Sequence, residues 1–202
     1  MNLPNTLTIT RIFLVPLLVV VLLTKFEGRL ILGFPNELVG AAIFGLASLT
    51  DWADGYLARR RNQITPFGQV IDPLADKLLT SAALISLIQM DEASAWMVAV
   101  IIGREFAVTA LRSLAYSRGV AMASSPLGKV KMAAQVVAIL ALILAYGGRV
   151  PFLLIGQAAL WVVLVTALVS AADYFRRFNL ILNPHVADFT AAREQRPGRK
   201  VG

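Results

Sequence analysis

The chain has 202 residues, 57% of them hydrophobic and only 15% charged, with a mean hydropathy of +0.71. Soluble domains carry roughly 25% charged residues, so the composition excludes an ordinary water-soluble globule and points to a polytopic membrane protein. The absence of cysteine excludes disulfides, zinc–thiolate centres and thiol catalysis, and the net charge of +7 is assigned to basic loops beside anionic lipid rather than to nucleic acid.

The first apolar run covers 7–24 and follows "MNLPN" directly. It has neither a basic n-region nor a small-residue cleavage site, so no cleavable signal is expected. Five more runs of spanning length, about 20 residues each, cover 37–59, 73–90, 93–116, 127–146 and 152–175. Between them stand the turn-rich stretches "EGRLILGFPN", "NQITPFG", "MDEAS", "SRGVAMASSPLG" and "GGRVP". Ser125 as N-cap and Pro126 at the first helical position predict a helix start. The expected fold is all-α: a polytopic integral membrane protein with six transmembrane helices in one domain, 1–178. A polar, basic tail follows at 179–202 and is expected to become disordered toward its end. No internal repeat is visible, which argues against a transporter built from inverted halves.

Orientation follows from lysine and arginine in short loops. One side holds Arg59, Arg60, Arg61, Arg112, Arg118, Lys129, Lys131, Arg176, Arg177 and the tail; the other holds Lys25, Arg29 and Arg149 with the acids Asp91 and Glu92. Both termini are therefore expected in the cytoplasm, as is the end of the second helix. There "LTDWADGYLARRR" places Asp51 and Asp54 three apart on one helix face. At the start of the third helix "GQVIDPLADKLL" places Asp72 and Asp76 four apart, again on one face. A short connection makes these helices antiparallel neighbours, so four carboxylates are expected to converge at the cytoplasmic boundary.

Charges at membrane depth are costly unless compensated, and Lys77 and Arg59 are too few to neutralise four acids. Oxygen ligands without histidine or cysteine favour Mg²⁺, Mn²⁺ or Ca²⁺. Four carboxylates suit two ions, the arrangement used for in-line displacement at phosphorus. The plainer alternative is that each acid pairs with a nearby base or faces water at a helix end. The paired spacings on two adjacent helices weigh against it.

Asp51, Asp54, Gly55, Ala58, Arg59, Gly68, Asp72 and Asp76 fit the pattern D-x2-D-G-x2-A-R-x8-G-x3-D-x3-D at every position. In this the chain resembles the CDP-alcohol phosphotransferase family. The resemblance implies transfer of a phosphate-linked group from a CDP-activated donor to an alcohol, with release of CMP. It implies two Mg²⁺ or Mn²⁺ ions held by Asp51, Asp54, Asp72 and Asp76, with Asp76 also the general base on the acceptor hydroxyl. A homodimer is implied too. Gly55 and Ala58 leave room for a nucleotide, or else allow close helix packing. Arg59 suits a pyrophosphate, and Gly68 completes the donor-binding signature. Thr65, Asn5 and Thr8 border the donor by resemblance; their residue types alone read as turn and capping positions.

"NLPNTLTITR", "GREFAVTALRSLAYSRGV", "SSPLGKVKMAAQ" and "VSAADYFRR" extend the resemblance along nearly the whole chain. They resemble members that use CDP-diacylglycerol as donor and glycerol 3-phosphate as acceptor. The implied location is the bacterial inner (cytoplasmic) membrane, among membrane lipid, with the active site facing the cytoplasm. Such an acceptor is a dianion and needs bases. Arg104 and Arg112, eight apart, share a face of the fourth helix, while Arg118 and Lys129 flank the next loop with Lys131 nearby. For Arg104 the alternative is a pair with Glu105, disfavoured because adjacent helical residues point in different directions. For Arg118, Lys129 and Lys131 it is a solvated loop on the positive side.

Trp96 reads as an interfacial aromatic, and His185, after Pro184, is assigned no role. Two rival functions remain at this stage. One is the same chemistry with phosphatidylglycerol, serine or an inositol phosphate as acceptor. The other is a divalent-cation transporter that uses the acids as an ion site, against which stands their clustering near one face.

Overall fold

A backbone that enters lipid has to satisfy its own hydrogen bonds, and a helix does so within one segment. The computed structural model describes residues 3–24, 30–31, 33–61, 66–117 and 126–182, with side chains for 10–24, 31, 33–50, 74–114, 130–173 and 175–176. Nearly all of these residues lie in six helices: α1 (Leu3–Leu23), α2 (Asn36–Arg61), α3 (Pro66–Gln89), α4 (Ala95–Ser117), α5 (Pro126–Ala145) and α6 (Val150–Leu182). Each overlaps one apolar run of the sequence. Pro126 opens α5 as expected, since its missing N–H would be unpaired there in any residue.

Two details differ from the expectation. The stretch taken as a plain connection before α2 carries a short antiparallel ladder of β1 (Leu30–Ile31) and β2 (Phe34–Pro35), pairing Leu30 with Pro35 and Ile31 with Phe34. Gly33 makes the reversal possible, because its φ of 84° lies in the left-handed region that side chains disfavour. At the other end, α6 continues to Leu182, so the helix itself runs four residues past the expected domain end at 178. Leu180, Ile181 and Leu182 prolong the apolar run, and Pro184 is the next residue that biases its neighbour away from helix.

The core draws on every helix. Leu18 of α1, Phe44 of α2, Leu79, Leu84 and Leu87 of α3, Ile101 of α4, Ile139 and Leu142 of α5, and Leu160 and Val163 of α6 are almost completely buried. The most extensive helix pair is α5 with α6. Gly156 permits it: a Cβ there would stand 2.6 Å from Leu142 Cδ2 and 3.1 Å from the Leu142 backbone nitrogen. α1 packs against both α3 and α2, and Gly40 of α2 receives the Leu22 side chain of α1 in the same way. Over the described residues α2 and α3 therefore touch each other sparsely, with α1 packed on both.

The exposed face of α6 is as apolar as its buried one. Leu154, Ile155, Trp161, Val165, Leu168 and Val169 are exposed, while Leu160, Val163, Leu164 and Ala167 are buried. A helix apolar all round suits protein on one side and lipid on the other. Among the described residues, Val150–Asp173 has both the length and the hydropathy, 2.4, to cross a membrane; Thr10–Leu23, Asn36–Thr50 and Val130–Ala145 are shorter apolar helical segments. Trp96, half exposed near the start of α4, meets Trp161 of α6 edge to face at 6.0 Å between ring centroids.

Candidate active site

Asp76 and Lys77 lie in α3, and both are half-buried. Thr80, one turn on, donates its hydroxyl to the Asp76 carbonyl at 2.9 Å. The site grows from here by charge. Lys77 is within electrostatic reach of Asp76 and of Arg112 on α4, and Lys131 on α5 is within reach of Asp76, Lys77 and Arg104. Lys77, Arg104, Arg112 and Lys131 are thus neighbouring basic groups, with the carboxylates of Asp76 and Glu105 among them.

The best-defined part of this cluster joins α4, α5 and α6. Arg104 donates from Nη1 to Glu105 Oε1 at 2.8 Å, from Nε to the Ala167 carbonyl at 3.3 Å, and from Nη2 to Ser170 Oγ. Lys131 Nζ forms an ion pair with the same Glu105 Oε1. Ser170 also donates to the Ala167 carbonyl, at 3.2 Å, and Thr109 donates to the Glu105 carbonyl at 2.8 Å. Lys131 is 3% exposed, and Gln135, one turn further along α5, is buried too. Charges removed from water in this way persist only when paired and hydrogen-bonded.

This corrects the expectation for Arg104, which does pair with Glu105. Adjacent helical side chains leave the backbone in different directions, but an arginine stem is long enough to curl back to its neighbour's carboxylate. Lys131 is likewise no loop residue: it lies inside α5 and faces the core.

Of the four signature acids, Asp76 alone has a described side chain. Asp51 and Asp54 lie within α2 and Asp72 within α3, as do Gly55, Ala58 and Arg59 on α2 and Gly68 on α3; their side chains fall outside the described residues. The same holds for Asn5 and Thr8 in α1 and for Lys129 in α5, while Thr65, Arg118 and His185 are wholly outside. Among the described residues no cluster of three metal-binding side chains occurs.

The signature nevertheless identifies the family, and the comparison with known proteins agrees. The model of the CDP-alcohol phosphatidyltransferase family matches residues 1–170. The chain belongs to this family. As a CDP-alcohol phosphatidyltransferase it is similar to several curated proteins named CDP-diacylglycerol–glycerol-3-phosphate 3-phosphatidyltransferase. The one from Bacillus subtilis (strain 168) is 48% identical over 185 residues, covering 87% of this chain and 94% of the relative. The Rickettsia typhi protein is 37% identical over 177 residues, covering 87% and 96%, and the Salmonella choleraesuis protein 38% over 171 residues, covering 79% and 90%.

Several polar residues of this phosphatidyltransferase escaped sequence reasoning. From the sequence Lys77 reads only as a counter-charge and Glu105 only as a neighbour of Arg104, and nothing local marks Gln135 or Ser170. Arg11 is 3% exposed within α1, the helix packed on both α2 and α3. An arginine in the middle of an apolar run was the available signal, because lipid does not tolerate it uncompensated.

Proposed function

We propose that the chain is a CDP-diacylglycerol–glycerol-3-phosphate 3-phosphatidyltransferase, a phosphatidylglycerophosphate synthase. It transfers the phosphatidyl group from CDP-diacylglycerol to glycerol 3-phosphate, giving phosphatidylglycerophosphate and CMP. Beside family membership and the names of the relatives, one observation carries the choice of acceptor. Lys77, Arg104, Arg112 and Lys131 form a basic cluster beside Asp76 and Glu105, the setting that a phosphate dianion needs.

In this reading Asp76 accepts the proton of the acceptor hydroxyl as its oxygen bonds to the phosphatidyl phosphorus and the bond to CMP breaks. Lys77, Arg112 and Lys131 hold the acceptor phosphate beside it, with Arg118 and Lys129 completing the basic wall. Arg59, with Gly55, Ala58, Thr65, Gly68, Asn5 and Thr8, receives the donor headgroup. Asp51, Asp54, Asp72 and Asp76 would hold two hard divalent cations, Mg²⁺ or Mn²⁺, to which their all-oxygen chemistry is suited. Such ions supply polarisation of phosphoryl oxygens and screening of the donor pyrophosphate.

The proposal includes six spans with both termini in the cytoplasm, a single membrane domain over 1–178, and a homodimer in the bacterial inner membrane with its site on the cytoplasmic side. The basic groups on that side and the apolar outer faces of the helices support the spans and the orientation, while the homodimer rests on the family resemblance. The test is CMP release by purified protein in Mg²⁺ and CDP-diacylglycerol, with glycerol 3-phosphate, serine, inositol phosphate and phosphatidylglycerol offered in parallel. Glycerol 3-phosphate should support turnover at least tenfold faster than the others, about 1.4 kcal/mol in the barrier. Preference for another alcohol would reassign the acceptor, and absence of CMP with every acceptor would favour an ion-handling role for the acids.

A further inference from the structure

Glu105 is the one carboxylate in the basic cluster that the transfer chemistry leaves without a task. Its Oε1 takes both Arg104 Nη1, at 2.8 Å, and Lys131 Nζ, so one oxygen spans α4 and α5. Arg104 is further fixed to α6 through Ser170 and the Ala167 carbonyl. The side chains of Arg104 and Lys131 are 9% and 4% exposed, that of Glu105 21%. Two cations brought this close in an apolar surrounding repel each other, and a shared anion is what lets both stay in place before any ligand arrives.

We propose that Glu105 is a positioning residue for acceptor binding: it holds the Lys131 ammonium against Arg104 and α6, so that the acceptor's phosphate meets a preformed cationic pair. The proposal rests on the acceptor reading above. Lysine is a point charge on a flexible four-carbon stem, with three donors. With one donor committed to Glu105, the stem is ordered in advance and two N–H groups remain for phosphate oxygens. Ordering before binding lowers the entropy cost that the ligand would otherwise meet. Arg104, held by three partners, serves as the anchor of the arrangement and not as a mobile ligand.

The test compares steady-state kinetics of the purified full-length protein in Mg²⁺ for Glu105→Gln, Lys131→Met and the double variant. Hydrogen bonds to charged groups are strong enough that Glu105→Gln should raise KM for glycerol 3-phosphate about tenfold or more, with KM for CDP-diacylglycerol changed less than about twofold. The double variant should be no worse than Lys131→Met alone, because Glu105 acts through Lys131. Glu105→Asp, which keeps the charge, should restore part of the lost affinity. Should Glu105→Gln fail to fold, Glu105→Asp against wild type carries the same comparison of the two KM values.

An unchanged KM for glycerol 3-phosphate overturns the proposal. So do equal rises in both KM values, the mark of a merely structural residue, and fully multiplicative effects in the double variant. Wild-type protein inactive with glycerol 3-phosphate would overturn the acceptor assignment itself and this inference with it, an outcome visible before any variant is made.

Discussion

Asp72 and Asp76 stand four residues apart on α3, about 6 Å along the helix axis. Under the proposed chemistry Asp72 is a metal ligand only, whereas Asp76 also takes a proton. Asp76→Asn keeps the shape and one oxygen but removes the proton acceptor. It should lower turnover at least about 100-fold, the usual scale of general base catalysis, while CDP-diacylglycerol still binds in Mg²⁺. Asp72→Asn should weaken donor binding itself. Calorimetric titration of both variants decides between the roles, and equal loss of donor binding would leave Asp76 as one more ligand. At this scale the sequence was informative where chemistry is local. The family is legible because the signature is carried by a few residues at fixed spacing in one short stretch. The partners of Arg104 are not, since Ala167 and Ser170 lie 63 and 66 residues away in the chain, and no periodicity reports a contact between helices so far apart.

The corner between α3 and α4 shows what an element boundary demands. Glu92 N–H bonds to the Leu87 carbonyl at 2.9 Å and Asp91 N–H to the Ile88 carbonyl at 3.1 Å, the Schellman pattern that satisfies the last carbonyls of a helix. That pattern needs a left-handed residue between them, and here it is Asp91, with φ of 60°. Glycine adopts this conformation without the steric cost that a Cβ adds. Asp91→Gly should therefore stabilise the protein by up to about 1 kcal/mol, the left-handed cost of about 1–2 kcal/mol less the roughly 0.4–1 kcal/mol of chain entropy that glycine adds, and Asp91→Val should destabilise it. Thermal unfolding in detergent, with wild type alongside, checks both directions; a lower midpoint for Asp91→Gly would refute the capping account. "MDEAS" announced a break at this point, but aspartate is not the residue that usually signals a left-handed cap, so its form was hidden. Helix positions were legible for the opposite reason: sustained apolar runs ended by Gly, Pro and charged clusters leave few other choices. The added turn of α6 was missed because Asn179 reads as polar while Leu180–Leu182 continues the apolar run.

Across the described residues, six helices share one core, α1 packs on both helices that carry the acidic signature, and a basic cluster with its partners joins α3, α4, α5 and α6. The small-residue seat at Gly40, which admits Leu22 of α1, could not be read without the fold. The central claim is that these parts move a phosphatidyl group onto glycerol 3-phosphate with divalent metal. The most direct measurement follows radiolabel from glycerol 3-phosphate into organic-extractable lipid, using purified protein, CDP-diacylglycerol and Mg²⁺. Label should enter the lipid phase in step with CMP release, stop in excess chelator, and resume when Mg²⁺ or Mn²⁺ is restored. Label that stays in the aqueous phase, or transfer that continues undiminished in excess chelator, would contradict the account.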